Sequence, residues 1–390
     1  MDYFFILGNH PLLSMAELLA VLPTASEPRL CGTNALVLNL GQEINIPEFL
    51  TTVGGTIKAG VIETNLNRIA EATDKGTEVL SKFLPATGKF SFGVSSYGQS
   101  GPVPKIVGMT IKNKLRDKGV SCRWVTSRET TLSSVVVEQN KLLSASGREL
   151  VFLTANKKTL VGVTQGVQPF KDLSQRDYGR PARDDQSGML PPKLAQIMLN
   201  LAGAKKDDLI LDPFCGSGTI LTEAMLMDYK NIFGSDISAK AVADSKINID
   251  WVAKRYDLKN SAKLKQADAK DLATLYKPNS VGAVVAEVYL GPQRGALDVK
   301  KLNQELGSLY DDCLEVIYKI LKPGARVVLA LPIFKQGGKL NLLPLDINDF
   351  SVVNDLPDFV KDQTGLTPRD TFVYGRENQS IYREIIVLKK

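Results

Sequence analysis

Short apolar runs and amphipathic stretches alternate along the chain, and their periods predict its elements. Residues 3–7 are continuously apolar and predict a strand. Gly8-Asn9-His10-Pro11 predicts a turn, and Ser14 followed by Glu17 predicts a capping box for a helix running to Leu22. Strands are expected over 35–40 and 56–66, with a short helix near Pro47, and then a helix over 74–84 and a strand over 89–97. Val107, Ile111 and Leu115 recur every four residues as one apolar helix face, which Gly119 ends. Further strands are predicted over 121–126, 132–138, 149–154 and 159–164, the last pair joined by a turn at Asn156-Lys157-Lys158.

Residues 165–187 lose this periodicity; they are rich in Gly, Pro and charge and predict a linker. Beyond them helix and strand alternate. A helix begins near Pro191-Pro192, where proline is tolerated in a first turn. Strands follow over 209–211, 231–235, 262–266, 281–285 and 326–331, with helices from Thr219, over 238–254 and over 299–321. Such alternation predicts an α/β fold with a parallel sheet covered on both faces. The end differs, because 371–374 and 381–388 predict a hairpin around Asn378. An open α/β sheet finished by an antiparallel hairpin is the class I methyltransferase (Rossmann-like) arrangement.

Composition narrows this picture modestly. A chain of 390 residues predicts two or three domains, and 44% hydrophobic residues can fill their cores. The net charge of +6 is compatible with a nucleic-acid partner and does not demand one. Four widely spaced cysteines and a single histidine argue against a structural zinc site or a disulfide framework, so no metal is expected. No apolar run reaches membrane-spanning length, and no basic residue precedes the short N-terminal run. A cytoplasmic protein with no membrane partner is expected.

The candidate chemistry starts at Leu209-Ile210-Leu211-Asp212-Pro213-Phe214-Cys215-Gly216-Ser217-Gly218-Thr219, a buried strand running through a glycine turn into a helix. In an open α/β sheet, ligands bind at the carboxyl ends of the strands. Gly216 and Gly218 let backbone approach a ligand, and the helix N-terminus behind them favours a carboxylate. A dinucleotide fingerprint needs a third glycine where Leu221 stands. Asp236 closes the next strand, where it can accept ribose hydroxyls, and Asp268 follows the third, within reach of an adenine amine. Each aspartate alone could be a helix or turn cap. Together with the glycine loop they point to S-adenosylmethionine (SAM), with Asp212, Phe214, Cys215, Gly216, Gly218, Thr219, Asp236, Ile237, Asp268 and Ala269 as candidate contacts. Gly93–Ser100 imitates a phosphate-binding loop, but Gln99 stands where its lysine belongs, and a turn is expected.

The run Asp212-Pro213-Phe214-Cys215-Gly216-Ser217-Gly218-Thr219 resembles motif I of methyltransferases acting on exocyclic amines in RNA and DNA. Residues 175–181 and 187–195, Gln-Arg-Asp-Tyr-Gly-Arg-Pro and Ser-Gly-Met-Leu-Pro-Pro-Lys-Leu-Ala, resemble the tRNA guanine-N2 methyltransferases of the position-10 type. Phe4, Ile6-Leu7-Gly8, Leu13-Ser14 and Ala16-Glu17-Leu18 resemble that family's N-terminal ferredoxin-like domain, and the stretch that follows resembles a THUMP domain, an RNA-binding module. The resemblance implies a ferredoxin-like domain over 1–60, a THUMP-like domain over 61–165, a linker over 166–187 and a methyltransferase domain over 188–390. It also implies structured RNA, in particular tRNA, as partner, and leaves room for an activating protein subunit. Lys105, Lys112, Arg116 and Arg123 on and after the basic helix, and Arg176 and Arg180 in the linker, are then candidate phosphate contacts.

The family's catalytic Asp-Pro-Pro-Tyr motif is altered here. Its position reads Glu287-Val288-Tyr289-Leu290-Gly291-Pro292. The chemistry needs a carboxylate and a backbone carbonyl to accept the two amine N–H groups, and an aromatic ring to stack on the base. Glu287, the Val288 carbonyl and Tyr289 can supply these, and Gly291 can bend the loop. Two alternatives stay open: an RNA-binding protein with a degenerate catalytic loop, and a DNA amino-methyltransferase.

Overall fold

The computed structural model describes residues 1–390 except 184–188, 292–297, 337–338, 362–364, 377–378 and 380. Ser187, Gly188, Pro292 and Asn378, which figure above, lie outside the described residues. The chain forms two compact units, Met1–Met15 with Leu22–Pro169, and Ala16–Val21 with Phe170–Lys390.

The first unit is built on an eight-stranded sheet in the order β2-β3-β1-β4-β8-β7-β5-β6. Its strands are β1 (Asp2–Leu7), β2 (Arg29–Cys31), β3 (Ala35–Asn39), β4 (Thr56–Leu66), β5 (Phe90–Tyr97), β6 (Cys122–Val125), β7 (Gly147–Ala155) and β8 (Lys158–Val167). The boundary expected at 60/61 falls inside β4, which pairs with β1 on one side and β8 on the other. One hydrogen-bonded ladder therefore crosses the two expected domains.

The helix Pro104–Asp117 buries Val107, Ile111 and Leu115, as its spacing predicts, and Gly119 follows it at φ +78°. Two local expectations fail. The helix Pro11–Val21 starts a turn before Ser14, whose hydroxyl donates to the His10 carbonyl at 2.9 Å instead of capping. The β-branched run expected as a strand over 132–138 is the helix Ser134–Gln139, because Ser133 accepts the Val136 N–H as its N-cap. A local cap has outweighed strand propensity here.

The second unit carries β9 (Leu209–Asp212), β10 (Asn231–Asp236), β11 (Ala262–Gln266), β12 (Val281–Glu287), β13 (Leu321–Gln336), β14 (Lys339–Leu342), β15 (Ser351–Val352), β16 (Phe372–Tyr374) and β17 (Ile381–Lys389). Their order is β11-β10-β9-β12-β13-β17-β15, with β14 on β13 and β16 on β17. β9 to β13 run parallel, and β17 enters antiparallel to β13. β12 reads Val-Gly-Ala-Val-Val-Ala-Glu and is buried over its first six residues, as a central parallel strand covered on both faces must be. The expected linker holds the helix Phe170–Tyr178, whose Leu173 and Arg176 are buried. Among the described residues, no helix is long and apolar enough to cross a membrane.

Candidate active site

The carboxyl edge of the second sheet gathers acidic residues. β9 ends on Asp212, β10 on Asp236 and β12 on Glu287, and Asp268 follows β11. Chain progression runs outward from β9 through β10 to β11, then resumes at β12 on the other side of β9. That reversal is where an open α/β sheet leaves a crevice for a ligand. Asp212 and Glu287 flank it.

The loop after β9 is shaped by its glycines and held from the helix Ala239–Tyr256. Gly216 and Gly218 adopt φ of +51° and +84°. A Cβ on Gly218 would lie 2.9 Å from Ser245 Oγ. Ser245 Oγ donates to the Gly216 carbonyl, and Asn248 Nδ2 to the Ser217 carbonyl, both at 2.8 Å. Leu221, where a dinucleotide fingerprint would have glycine, packs on Gly234 of β10, whose missing Cβ would lie 2.5 Å from Leu221 Cδ1. The small residue needed for close helix–strand packing has moved onto the strand.

The loop amides are already engaged. Phe214 N–H donates to Asp212 Oδ1 at 3.1 Å, and Gly216 N–H to Asp236 Oδ2 at 3.0 Å. Asp236 Oδ1 also accepts the Ser238 N–H, and Asp268 Oδ1 the Lys270 N–H. The aspartates that cap these turns are the same ones that stand at the carboxyl edge of the sheet. Burial holds the Asp212 carboxyl well above the usual carboxylate range; the Phe214 N–H works against this, and Asp236 and Glu287 add to it. Burial also pushes the Cys215 thiol up, as befits packing rather than nucleophilic attack. Ile237 is 69% exposed beside Asp236, while Ala269 and Thr219 are buried.

On the other side of the crevice, Glu287 Oε1 accepts from Arg383 Nε of β17 at 2.5 Å. Burial raises the Glu287 carboxyl, and Arg383 opposes that rise. Val288 is buried, its N–H bonded to the Ala330 carbonyl at 3.2 Å. Tyr289 is 54% exposed, so its ring is available for stacking. Its carbonyl accepts the Tyr310 hydroxyl at 2.7 Å, and Tyr310 meets Phe214 edge-on. Gly291 takes φ +87°, where a Cβ would also press on Leu302.

Arg176 and Arg180 must be reassigned. Both are 6% exposed. Arg176 chelates Glu223 through Nε at 2.7 Å and Nη2 at 3.0 Å, and Arg180 Nη1 donates to Thr219 Oγ1 at 2.5 Å. They brace the helix behind the glycine loop and are out of reach of RNA phosphates. In the first unit Lys105, Arg116 and Arg123 are exposed and Lys112 is half-buried; Arg123 also donates to Asn140 Oδ1. Arg383, Tyr310 and Ser245 belong to no local motif, so sequence reasoning does not find them at this site. Among the described residues, no group of three or more His, Cys, Asp or Glu could hold a metal ion.

Residues 180–336 match the family described as RMKL-like, methyltransferase domain, and residues 105–247 match one described as DNA methylase. The tRNA (guanine(10)-N2)-dimethyltransferase of Methanothermobacter thermautotrophicus is 32% identical over 145 residues, covering 37% of this chain and 39% of that protein. Its counterpart in Methanocaldococcus jannaschii is 33% identical over 146 residues, covering 37% and 38%. The chain thus spans about two fifths of the length of these curated relatives. The crystal structure of TrmN from Thermus thermophilus shares the fold over 100% of both chains, with a TM-score of 0.56 at 18% identity. The second unit has the Rossmann-like class I methyltransferase fold.

Proposed function

We propose that this chain belongs with its tRNA guanine-N2 methyltransferase relatives and transfers a methyl group from SAM to guanine N2 in tRNA. The observation that carries this is the placing of Asp212, Asp236, Asp268 and Glu287 on four neighbouring strand ends around one glycine loop. Asp236 and Asp268 suit the ribose and adenine of SAM, with Ile237 and Phe214 as apolar walls. Bound SAM would supply an electrophilic methyl group on a cationic sulfur, and buried carboxylates favour a cation.

The target guanine has to leave its stack to reach this edge. Glu287 and the Val288 carbonyl then accept the two amine N–H groups and return electron density to nitrogen. Tyr289 stacks on the base, and Tyr310 fixes the backbone that carries it. As the nitrogen–carbon bond forms and the sulfur–carbon bond breaks, Glu287 receives the proton that nitrogen loses. Most of the acceleration comes from orientation. The first unit, THUMP-like and with exposed Lys105, Arg116 and Arg123, serves as the RNA-gripping half, recognising folded RNA through phosphate contacts.

Incubation with radiolabelled SAM and unmodified tRNA tests this. We expect label in N2-methylated guanosine, and a loss of about a hundredfold or more in turnover for Glu287→Ala with SAM binding retained. Label in DNA amines instead of tRNA would favour the DNA reading. RNA and SAM binding without transfer would favour a non-catalytic binder.

A further inference from the structure

The exchange of aspartate for glutamate at the catalytic position adds a methylene and a torsion, and a longer acid needs an anchor to present its oxygens reproducibly. The sheet supplies one. Glu287 pairs with Ala330 on β13, and β13 pairs with β17 through Ala330↔Ile385 and Pro332↔Arg383. Alternate residues share a sheet face, so Glu287, Ala330, Pro332 and Arg383 line the same side. Ala330 and Pro332 are the β13 partners of Glu287 and Arg383 on that side, and Arg383 Nε reaches past them to Glu287 Oε1 at 2.5 Å. Both partners are nearly buried, with side chains 10% and 15% exposed. Among the described residues, Glu287 Oε2 has no hydrogen-bond donor.

We propose that Arg383 is a positioning residue for methyl transfer: its guanidinium fixes one oxygen of Glu287 and leaves the other for the substrate amine. The proposal rests on the methyl-transfer function given above. It makes the Glu287–Arg383 pair the working unit that stands in for the family's shorter aspartate. It also places the antiparallel β17, remote from the SAM loop in sequence, in the acceptor half of the site.

The titratable groups that interact with a member of the pair are Asp212 on β9, which feels Glu287, and Tyr374 on β16, which feels both Glu287 and Arg383. Asp212 is a further acid near Glu287, and burial already favours the protonated form of Glu287. Arg383 is the group that opposes this. Removing it leaves a glutamate that protonates more readily and swings freely.

The test combines an activity profile with a direct titration. In Arg383→Met, the acidic limb of the kcat–pH profile should move up by about one unit or more. Turnover below that limb should fall about tenfold, with KM for tRNA and the SAM dissociation constant little changed. Arg383→Lys should restore most of the shift. Carbon-13 carboxyl NMR, with Glu287→Gln for assignment, reads the titration of Glu287 in wild type and Arg383→Met without requiring turnover. A Glu287 midpoint that does not move overturns the proposal whatever the activity. A shifted midpoint with an unmoved kcat–pH limb overturns the positioning role. A shifted midpoint in a wild-type protein that transfers no methyl group to tRNA overturns the function on which the proposal rests, and the positioning role with it. A mere structural defect would lower folded yield and SAM affinity while leaving both midpoints in place.

Discussion

Lys58 with Glu149 in the first unit and Arg383 with Glu287 in the second make the same kind of contact at similar length, 2.7 and 2.5 Å. Their surroundings differ. Glu149 is saturated: Oε1 accepts from Lys58 and Ser95, and Oε2 from Thr164. Lys58 also donates to the Leu132 carbonyl, and the Leu132 N–H donates to Ser95. The pair is 1% and 0% exposed, and its desolvation cost is offset by a closed network that pins the loop before Ser133 to β4, β5, β7 and β8. Glu287 stands at a strand end with one oxygen held and partial exposure. Engaging both oxygens makes a buried acid part of the architecture, and an acceptor oxygen left unengaged at a strand end can meet a ligand.

The largest expected effect breaks the saturated network. Lys58→Met leaves Glu149 buried without its cation and should cost about 3–5 kcal/mol, read as a fall in the urea midpoint of the first unit. Lys58→Met with Glu149→Leu should recover most of it; a cost below about 1 kcal/mol for the single change would show that the network is not structural. Ser95→Ala removes one donor to Glu149 and the acceptor of the Leu132 N–H, and should cost about 1–3 kcal/mol in the same measurement.

The second region should respond to pH through Asp212. Its folded carboxyl is raised, so its contribution to apoprotein stability is full at low pH and fades as pH rises through the folded value. A cationic ligand favours the ionised form. SAM affinity should therefore rise with pH across that window, by up to about tenfold per unit, with proton release visible in calorimetry in buffers of different ionisation enthalpy. PH-independent affinity would exclude Asp212 from the cation site. The smallest effect belongs to exposed charge: Arg116→Ala should weaken tRNA binding a few-fold and lower the salt slope by about one, with no change in fold. The buried Arg176, by contrast, should prove a stability residue.

Much of this protein was legible in the sequence because it is encoded locally. Periodicity located β4, β11 and the helix Pro104–Asp117, and the turn chemistry around Gly216 and Gly218 located the SAM-loop candidate. The sequence pattern puts Asp212, Asp236, Asp268 and Glu287 at or just past expected strand ends, since a strand end is a local property. Local signals also misled where two competed, as at Ser133, whose cap turns a β-branched run into a helix. Tertiary structure alone decided the pairings. β4 joins what looked like two domains because its partners β1 and β8 come from opposite ends of the unit. Arg176 and Arg180 lie in a stretch whose pattern predicts a linker, yet the fold buries them on Glu223 and Thr219. Arg383 meets Glu287 across 96 residues of chain. No spacing rule reaches that far, because the contact is made by strand order and sheet register, which depend on the whole fold.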